Sequence, residues 1–218
     1  MRLGPSYRKI HFPADRLSAF TIFVEIFSKA RSMAQNSPAA TVGTTIGEAS
    51  CQKNGYETFF NHLLSLVQGS PIDQTLGKRI ESYVGQWTDE HPLADFNDYS
   101  ATSYRRTYLG RCPETGWEAL AMSWRQGNRT SVHAHPQFAG YYFTDGLFRL
   151  EVFEPVSPRQ ARLKESTVIQ SPHGFFAIGQ AGHFDNHIHR ITCLSDTGHS
   201  LHVYSADALH GLVYQTIE

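Results

Sequence analysis

Cysteine is scarce in this sequence: Cys51, Cys112 and Cys193 are the only three among 218 residues. Thiols so few and so scattered exclude a disulfide-stapled scaffold and a thiolate zinc site, which need closely spaced pairs. A surplus of one charge is also missing, with 19 Lys and Arg against 20 Asp and Glu and a formal net charge of −1. Without a basic excess there is no electrostatic case for nucleic acid or an anionic membrane, and neither is expected as a partner. No apolar run approaches the ~18 residues of a membrane span. Near the N-terminus Arg2, Arg8 and Lys9 lead into Pro13, Asp15 and Arg16, not into the apolar core of a secretion signal, so a cytoplasmic location is expected. Hydrophobic residues make up 40% and aromatics 12%, ordinary globular values that set disorder aside. The length allows one all-β domain with a core of its own.

Histidine, by contrast, is plentiful. Nine of the 12 fall from position 133 onward (133, 135, 173, 183, 187, 189, 199, 202 and 210), which points to metal or proton chemistry in the C-terminal part. The periodicity changes along the chain in step with this. Leu17, Phe20, Val24 and Phe27, then Phe59/Phe60, Leu63/Leu64 and Val67, then Ile80, Tyr83, Val84 and Trp87 recur at helical spacing. Gln35–Gln52, rich in Ser, Thr, Ala and Gly, reads as a connection between the first two helices. From about residue 100 short runs of β-formers take over: Leu120–Trp124, Tyr141–Thr144, Leu147–Phe153, Thr167–Ile169, Phe175–Ile178 and His202–Tyr204. Gly127-Asn128, Asp145-Gly146, Ser157-Pro158, Gly179 to Gly182 and Thr197-Gly198 punctuate them. Many short strands with regular turns imply an antiparallel barrel or sandwich. Thr144-Asp145-Gly146-Leu147 has the chemistry of a tight type I′ hairpin. The expected organisation is an N-terminal extension over 1–50, partly helical, and a second domain over 51–218, helical at 56–98 and a β-barrel from 100.

The sharpest local pattern is Gly127-Asn-Arg-Thr-Ser-Val-His133-Ala-His135. On a strand, positions 133 and 135 share a face because the side-chain period is two, so both imidazoles can converge on one cation. Imidazole suits iron, copper, zinc and nickel alike. An isolated His-x-His also fits two histidines on the solvent face of a strand, so context has to decide. The spacing resembles the first motif of the cupins, a glycine five residues before His-x-His, then a glutamate, then a second glycine, here Gly146. The glutamate slot counted back from Gly146 holds Ala139, with Gly140 beside it, so the usual carboxylate ligand is missing. A third histidine comes from Asn186-His187-Ile188-His189-Arg190-Ile191, where His187 and His189 share a face if this is a strand. A neutral three-histidine site leaves a metal its full charge and about three open positions of an octahedral sphere.

The sequence resembles the cysteine dioxygenase family from roughly Tyr56 to Gly211. Tyr104-Arg105-Arg106 is similar to its Tyr-x-Arg element, Trp124 to the tryptophan nine residues before the first ligand, and His133 and His135 to its His-x-His. His189-Arg190-Ile191 is similar to its His-Arg-Val, and Ser200-Leu201-His202-Val203-Tyr204 to its Ser-Leu-His-x-Tyr. The resemblance implies a mainly β fold, a cupin jelly-roll barrel preceded by a helical region. It implies Fe(II) on His133, His135 and His189, the last in preference to His187. It gives Arg106 the substrate carboxylate, Tyr104 the pocket wall, Trp124 the core beneath the site, and Ser200, His202 and Tyr204 a catalytic relay. The implied reaction adds both atoms of dioxygen to L-cysteine to give cysteine sulfinic acid. Alternatives are 3-mercaptopropionate or another small thiol carboxylate as substrate, and a non-catalytic metal-binding cupin acting as a sensor. A monomer or a small homo-oligomer is expected. Two departures stand out. Animal members carry a cysteine in the glutamate slot and link it to the tyrosine, which Ala139 and Gly140 preclude. Where the family often has Ser-Pro-Pro after that tyrosine, this chain has Ser205-Ala206-Asp207.

Overall fold

The computed structural model describes residues 55–218, which belong to one compact unit. The expected helix around Leu17 to Phe27, the Gln35–Gln52 connection and the 1–50 extension lie outside the described residues. Two helices come first. Helix α1 (Tyr56–Val67) buries Tyr56, Phe59, Phe60, Leu63, Leu64 and Val67, the three- and four-residue spacing of one helical face. Helix α2 (Gln74–Glu90) starts at Asp73, whose carboxylate accepts the Leu76 amide over 2.9 Å, and buries Leu76, Ile80 and Val84. Neither helix, nor any other among the described residues, is long and apolar enough to cross a membrane.

Ten strands follow: β1 (Arg105–Arg111), β2 (Glu118–Arg125), β3 (Val132–His135), β4 (Phe138–Asp145), β5 (Leu147–Ser157), β6 (Gln160–Gln170), β7 (His173–Ile178), β8 (Asn186–Cys193), β9 (Thr197–Tyr204) and β10 (Val213–Ile217). They form two five-stranded sheets. The first has the order β1-β2-β9-β4-β7; the second, β10-β3-β8-β5-β6, closes on itself because β10 pairs antiparallel with β3 and in parallel with β6. From β2 to β5 and from β6 to β10 the chain changes sheet at every connection, while β1–β2 and β5–β6 are hairpins within one sheet, which makes a jelly-roll arrangement. The expected mainly β architecture with a helical region before it is what the structure has.

Alternation along the strands sorts the first sheet into two faces. Ala119, Ala121, Leu201 and Val203 pack outward against Phe60, Leu63, Ile80 and Val84 of the helices. Leu120, Met122, Trp124, Tyr141, Phe143 and Tyr204 turn inward and meet Phe148, Ile191 and Cys193 of the second sheet. On β3 the even positions Val132 and Ala134 join Phe153, Ala161, Ile188 and Tyr214 in a smaller cluster, so His133 and His135 are left facing the first sheet.

Two turn readings need correction. Asp145-Gly146 is a turn, but β4 and β5 belong to different sheets, so it makes a corner between sheets and not a hairpin. Only Gly146 takes positive φ (92°), and a Cβ there would lie 2.9 Å from Gly198 Cα, a close approach that explains the glycine without a type I′ turn. Thr197-Gly198 is not punctuation either, since both residues pair with β2 as the start of β9. The tight hairpin of the barrel lies at Pro158-Arg159, between β5 and β6.

Candidate metal centre and cavity

His133 and His135 leave β3 on one face, as their spacing requires, and His189 stands opposite His133 on β8. The possible ligand atoms of the three lie within 4.8 Å of one another, so together they could hold a metal ion. The choice between His187 and His189 is made by the backbone. Across the ladder His133 pairs with His189 but His135 pairs with Asn186, so β8 carries one extra residue, a bulge. His187 sits in it at φ 48°, a left-handed conformation unusual for a side chain with a Cβ. The bulge takes His187 out of the ligand set and places its Nδ1 3.0 Å from Nδ1 of His189.

Both exposed-looking ends of this arrangement are in fact tied down. His133 Nδ1 donates to the Ser131 carbonyl over 2.9 Å, which leaves its Nε2 as a lone pair. His189 likewise spends Nδ1 on His187, so two of the three imidazoles are oriented by a bond from the nitrogen that faces away, the usual support of a metal ligand. His135 is 0% exposed and neither ring nitrogen has a hydrogen-bond partner; the Asn186 backbone across the ladder exerts only a weak pull. A buried imidazole with both nitrogens unmet is costly. A cation bound by one of them removes part of that cost, so the residues fit a metal. Burial first, and then the neighbouring imidazoles, hold His135 and His189 well below the ordinary histidine range, so both present neutral lone pairs. Among the described residues no carboxylate joins the three, and Ala139, in the empty slot, pairs directly with Tyr204 across β4 and β9.

Ser200, His202 and Tyr204 all face inward from β9 and are hydrogen-bonded in series. Ser200 Oγ lies 2.7 Å from His202 Nε2, and His202 Nδ1 lies 2.9 Å from the Tyr204 hydroxyl. Sequence reasoning gave Trp124 only a packing role, but its indole N–H donates to Ser200 Oγ over 2.9 Å. An indole nitrogen can only donate, so Ser200 Oγ accepts there and keeps a second lone pair and its own proton for His202. With the His202 proton on Nδ1 the imidazole donates to the Tyr204 oxygen and leaves the phenol proton for the cavity; with it on Nε2, Tyr204 donates to Nδ1. Burial, and secondarily Arg106, pushes His202 down to about 3, and burial pushes the Tyr204 phenol well above its usual value, so the relay consists of neutral groups.

A cavity of about 140 Å³ opens beside the histidines, lined by Arg106, Tyr104, His133, His189, His202 and Tyr204 among others. That volume suits a ligand of few atoms, well below the range of drug-sized pockets. Arg106 comes from β1, with a buried Nε that has no partner. Tyr104 stacks on Trp124 with ring centroids 4.6 Å apart. Of the eight residues given site roles from the sequence, Tyr104, Arg106, His133, His189, His202 and Tyr204 line the cavity, while His135 packs on His189 and Ser200 bonds His202. Two contributors were missed. Glu118, buried at the start of β2, carried no motif, and the 208–213 segment that supplies Ala208, Leu209, Gly211 and Val213 to the cavity is unremarkable in composition.

Fold and site together define a jelly-roll β-barrel with three histidines able to hold a metal ion. No family model matches the sequence, and no curated protein matches it. Solved structures similar in fold include a cupin superfamily protein from Desulfitobacterium hafniense, 13% identical over 53% of this chain and 89% of that one, TM-score 0.41. A cupin-2 domain protein from Rhodospirillum rubrum is 12% identical over 52% and 67%, TM-score 0.39. An RmlC-like cupin from Shewanella frigidimarina is 20% identical over 48% and 78%, TM-score 0.35.

Proposed function

We propose that the protein is a thiol dioxygenase that converts a small thiol carboxylate, L-cysteine first among them, to its sulfinic acid. The observation that carries this reading is the hydrogen-bonded series from Trp124 through Ser200 and His202 to Tyr204, which ends in a phenol at a cavity also lined by His133, His189 and Arg106. A mere metal-binding module has no need of such a series.

His133, His135 and His189 would hold Fe(II), which when bound supplies the site for the thiolate and the electrons that activate dioxygen. Arg106 binds the substrate carboxylate through its planar fork of donors, and the unmet Nε is available for this. The small cavity fixes where the thiol can lie relative to the histidines and leaves little room for water. Tyr204 orients the reacting groups by donating its phenol proton, which the Nδ1–H tautomer of His202 leaves free. The sum is R–SH + O2 → R–SO2H, in which sulfur is oxidised, both oxygen atoms are retained and no external reductant is consumed. 3-Mercaptopropionate is the nearest competing substrate, since it shares the thiol and carboxylate and lacks only the amine.

The test is oxygen uptake by iron-loaded protein across a panel of small thiols, with the product identified by mass. One dioxygen consumed per thiol and a gain of two oxygen atoms support the reading. No uptake with any thiol carboxylate would refute it.

A further inference from the structure

The cavity wall formed by residues 205–212 is held at its two ends by different means. At the far end Gly211 crosses β3 so closely that a Cβ would lie 1.9 Å from the Ala134 carbonyl oxygen, and the Ala134 amide donates to Leu212 over 2.8 Å. At the near end charges do the holding. Arg111 Nη2 donates to Asp207 Oδ2 over 2.7 Å, and Asp207 Oδ1 accepts the Leu209 amide over 2.9 Å. Glu118, 0% exposed, accepts the Ala208 amide on Oε1 over 3.0 Å. Its Oε2 has no hydrogen-bond partner and lies 3.9 Å from Arg111 Nε.

Between these anchors the wall is thinly supported. Beyond the Ala208 and Leu209 amides just described, the short 3-10 helix over Ala208–His210 has only local backbone bonds, His210 N–H to Asp207 O and Gly211 N–H to Ala208 O. Leu209 lines the cavity yet is 66% exposed, and no proline in 205–212 fixes the backbone. A carboxylate buried this completely is expensive unless it is paired, and among the described residues the Ala208 amide of the wall is its hydrogen-bond partner. Burial raises the Glu118 carboxyl, with the Ala208 amide pulling it back, whereas at Asp207 the Leu209 amide and Arg111 outweigh burial and hold the carboxyl down.

We infer that Arg111 and Glu118 are positioning residues that latch the Ala208–Gly211 wall against the first sheet and so set how large a substrate the cavity admits. The identity of that substrate rests on the thiol dioxygenase reading; the latch does not.

The experiment pairs amide hydrogen exchange over 205–212 with steady-state kinetics on iron-loaded wild type, Arg111→Met, Arg111→Lys and Glu118→Gln. The Arg111 side chain is 44% exposed, so its replacement by Met leaves the fold in place. In Arg111→Met the Ala208 and Leu209 amides should exchange faster. The KM for cysteine should rise about three- to fivefold with kcat within about twofold, the scale of one partly exposed ion pair acting on binding alone. A cysteine-containing dipeptide should gain relative to cysteine. Arg111→Lys should restore both readouts, and Glu118→Gln, which keeps an acceptor for the Ala208 amide but loses the charge facing Arg111, should fall between. Unchanged exchange, or faster exchange with unchanged KM and selectivity, would overturn the latch as a determinant of substrate size. If the wild type oxidised no thiol, the proposed reaction would fall, and exchange alone would decide the latch: faster in Arg111→Met upholds it, unchanged removes it.

Discussion

The Trp124 indole N–H donates to Ser200 Oγ over 2.9 Å, and that contact ties a residue on β2 to the series that ends at Tyr204, two hydrogen bonds further along β9. Replacement of Trp124 by Phe keeps an aromatic ring but removes that donor. Ser200 Oγ then has one partner fewer and holds His202 and Tyr204 less firmly. Turnover should fall about three- to tenfold, the worth of one neutral hydrogen bond. Stability should fall by about 1–3 kcal/mol, because Trp124 is fully buried. Kinetics together with a denaturation curve check both effects.

Tyr204→Phe deletes the end of the same chain. Its hydroxyl acts on the reacting state more than on binding, so kcat should drop by roughly ten- to a thousandfold while KM changes little. A variant that kept the full wild-type rate would reduce Tyr204 to a core aromatic. Because Ala139 is the residue opposite Tyr204, no thiol is available for a thioether, and intact mass should match the sequence before and after turnover.

Arg106→Ala removes the charged fork from the cavity. The KM for cysteine should rise about ten- to a hundredfold, the scale of a lost charge-assisted contact. Metal content should be unaffected, since Arg106 is not among the possible ligands.

The architecture was legible where one strand carries its own information. His133 and His135, and Ser200, His202 and Tyr204, needed only the period of two to be placed on shared faces. What escaped was information held between strands. The Trp124–Ser200 bond exists because β2 and β9 are neighbours, and nothing in either segment names the other. Asp145-Gly146 encodes a sharp turn but not which sheet the chain enters next. The bulge at His187 depends on the register of β8 against β3, and Glu118 meets the Ala208 amide across 90 residues of sequence.

Acid should weaken the metal-free protein through the same histidines. In the unfolded chain a histidine titrates near ~6.5. In the fold burial lowers His187 to about 4 and His202 to about 3, and depresses His135 and His189 strongly. Below pH ~6.5 the unfolded chain therefore binds protons that the folded one refuses, so stability is retained above that pH and lost as pH falls, at up to ~1.4 kcal/mol per pH unit for each group. Melting temperature measured from pH 7.5 to 5 should decline steadily, and substitution of His202 by Gln should flatten the slope.

The central claim is a metal held on three imidazoles and no carboxylate, and X-ray absorption of the iron-loaded protein tests it most directly. Three histidine nitrogens near ~2.1 Å should account for the protein ligands, and His135→Ala should lose stoichiometric iron. A first shell containing an Asp or Glu oxygen, or full iron occupancy in His135→Ala, would contradict the account.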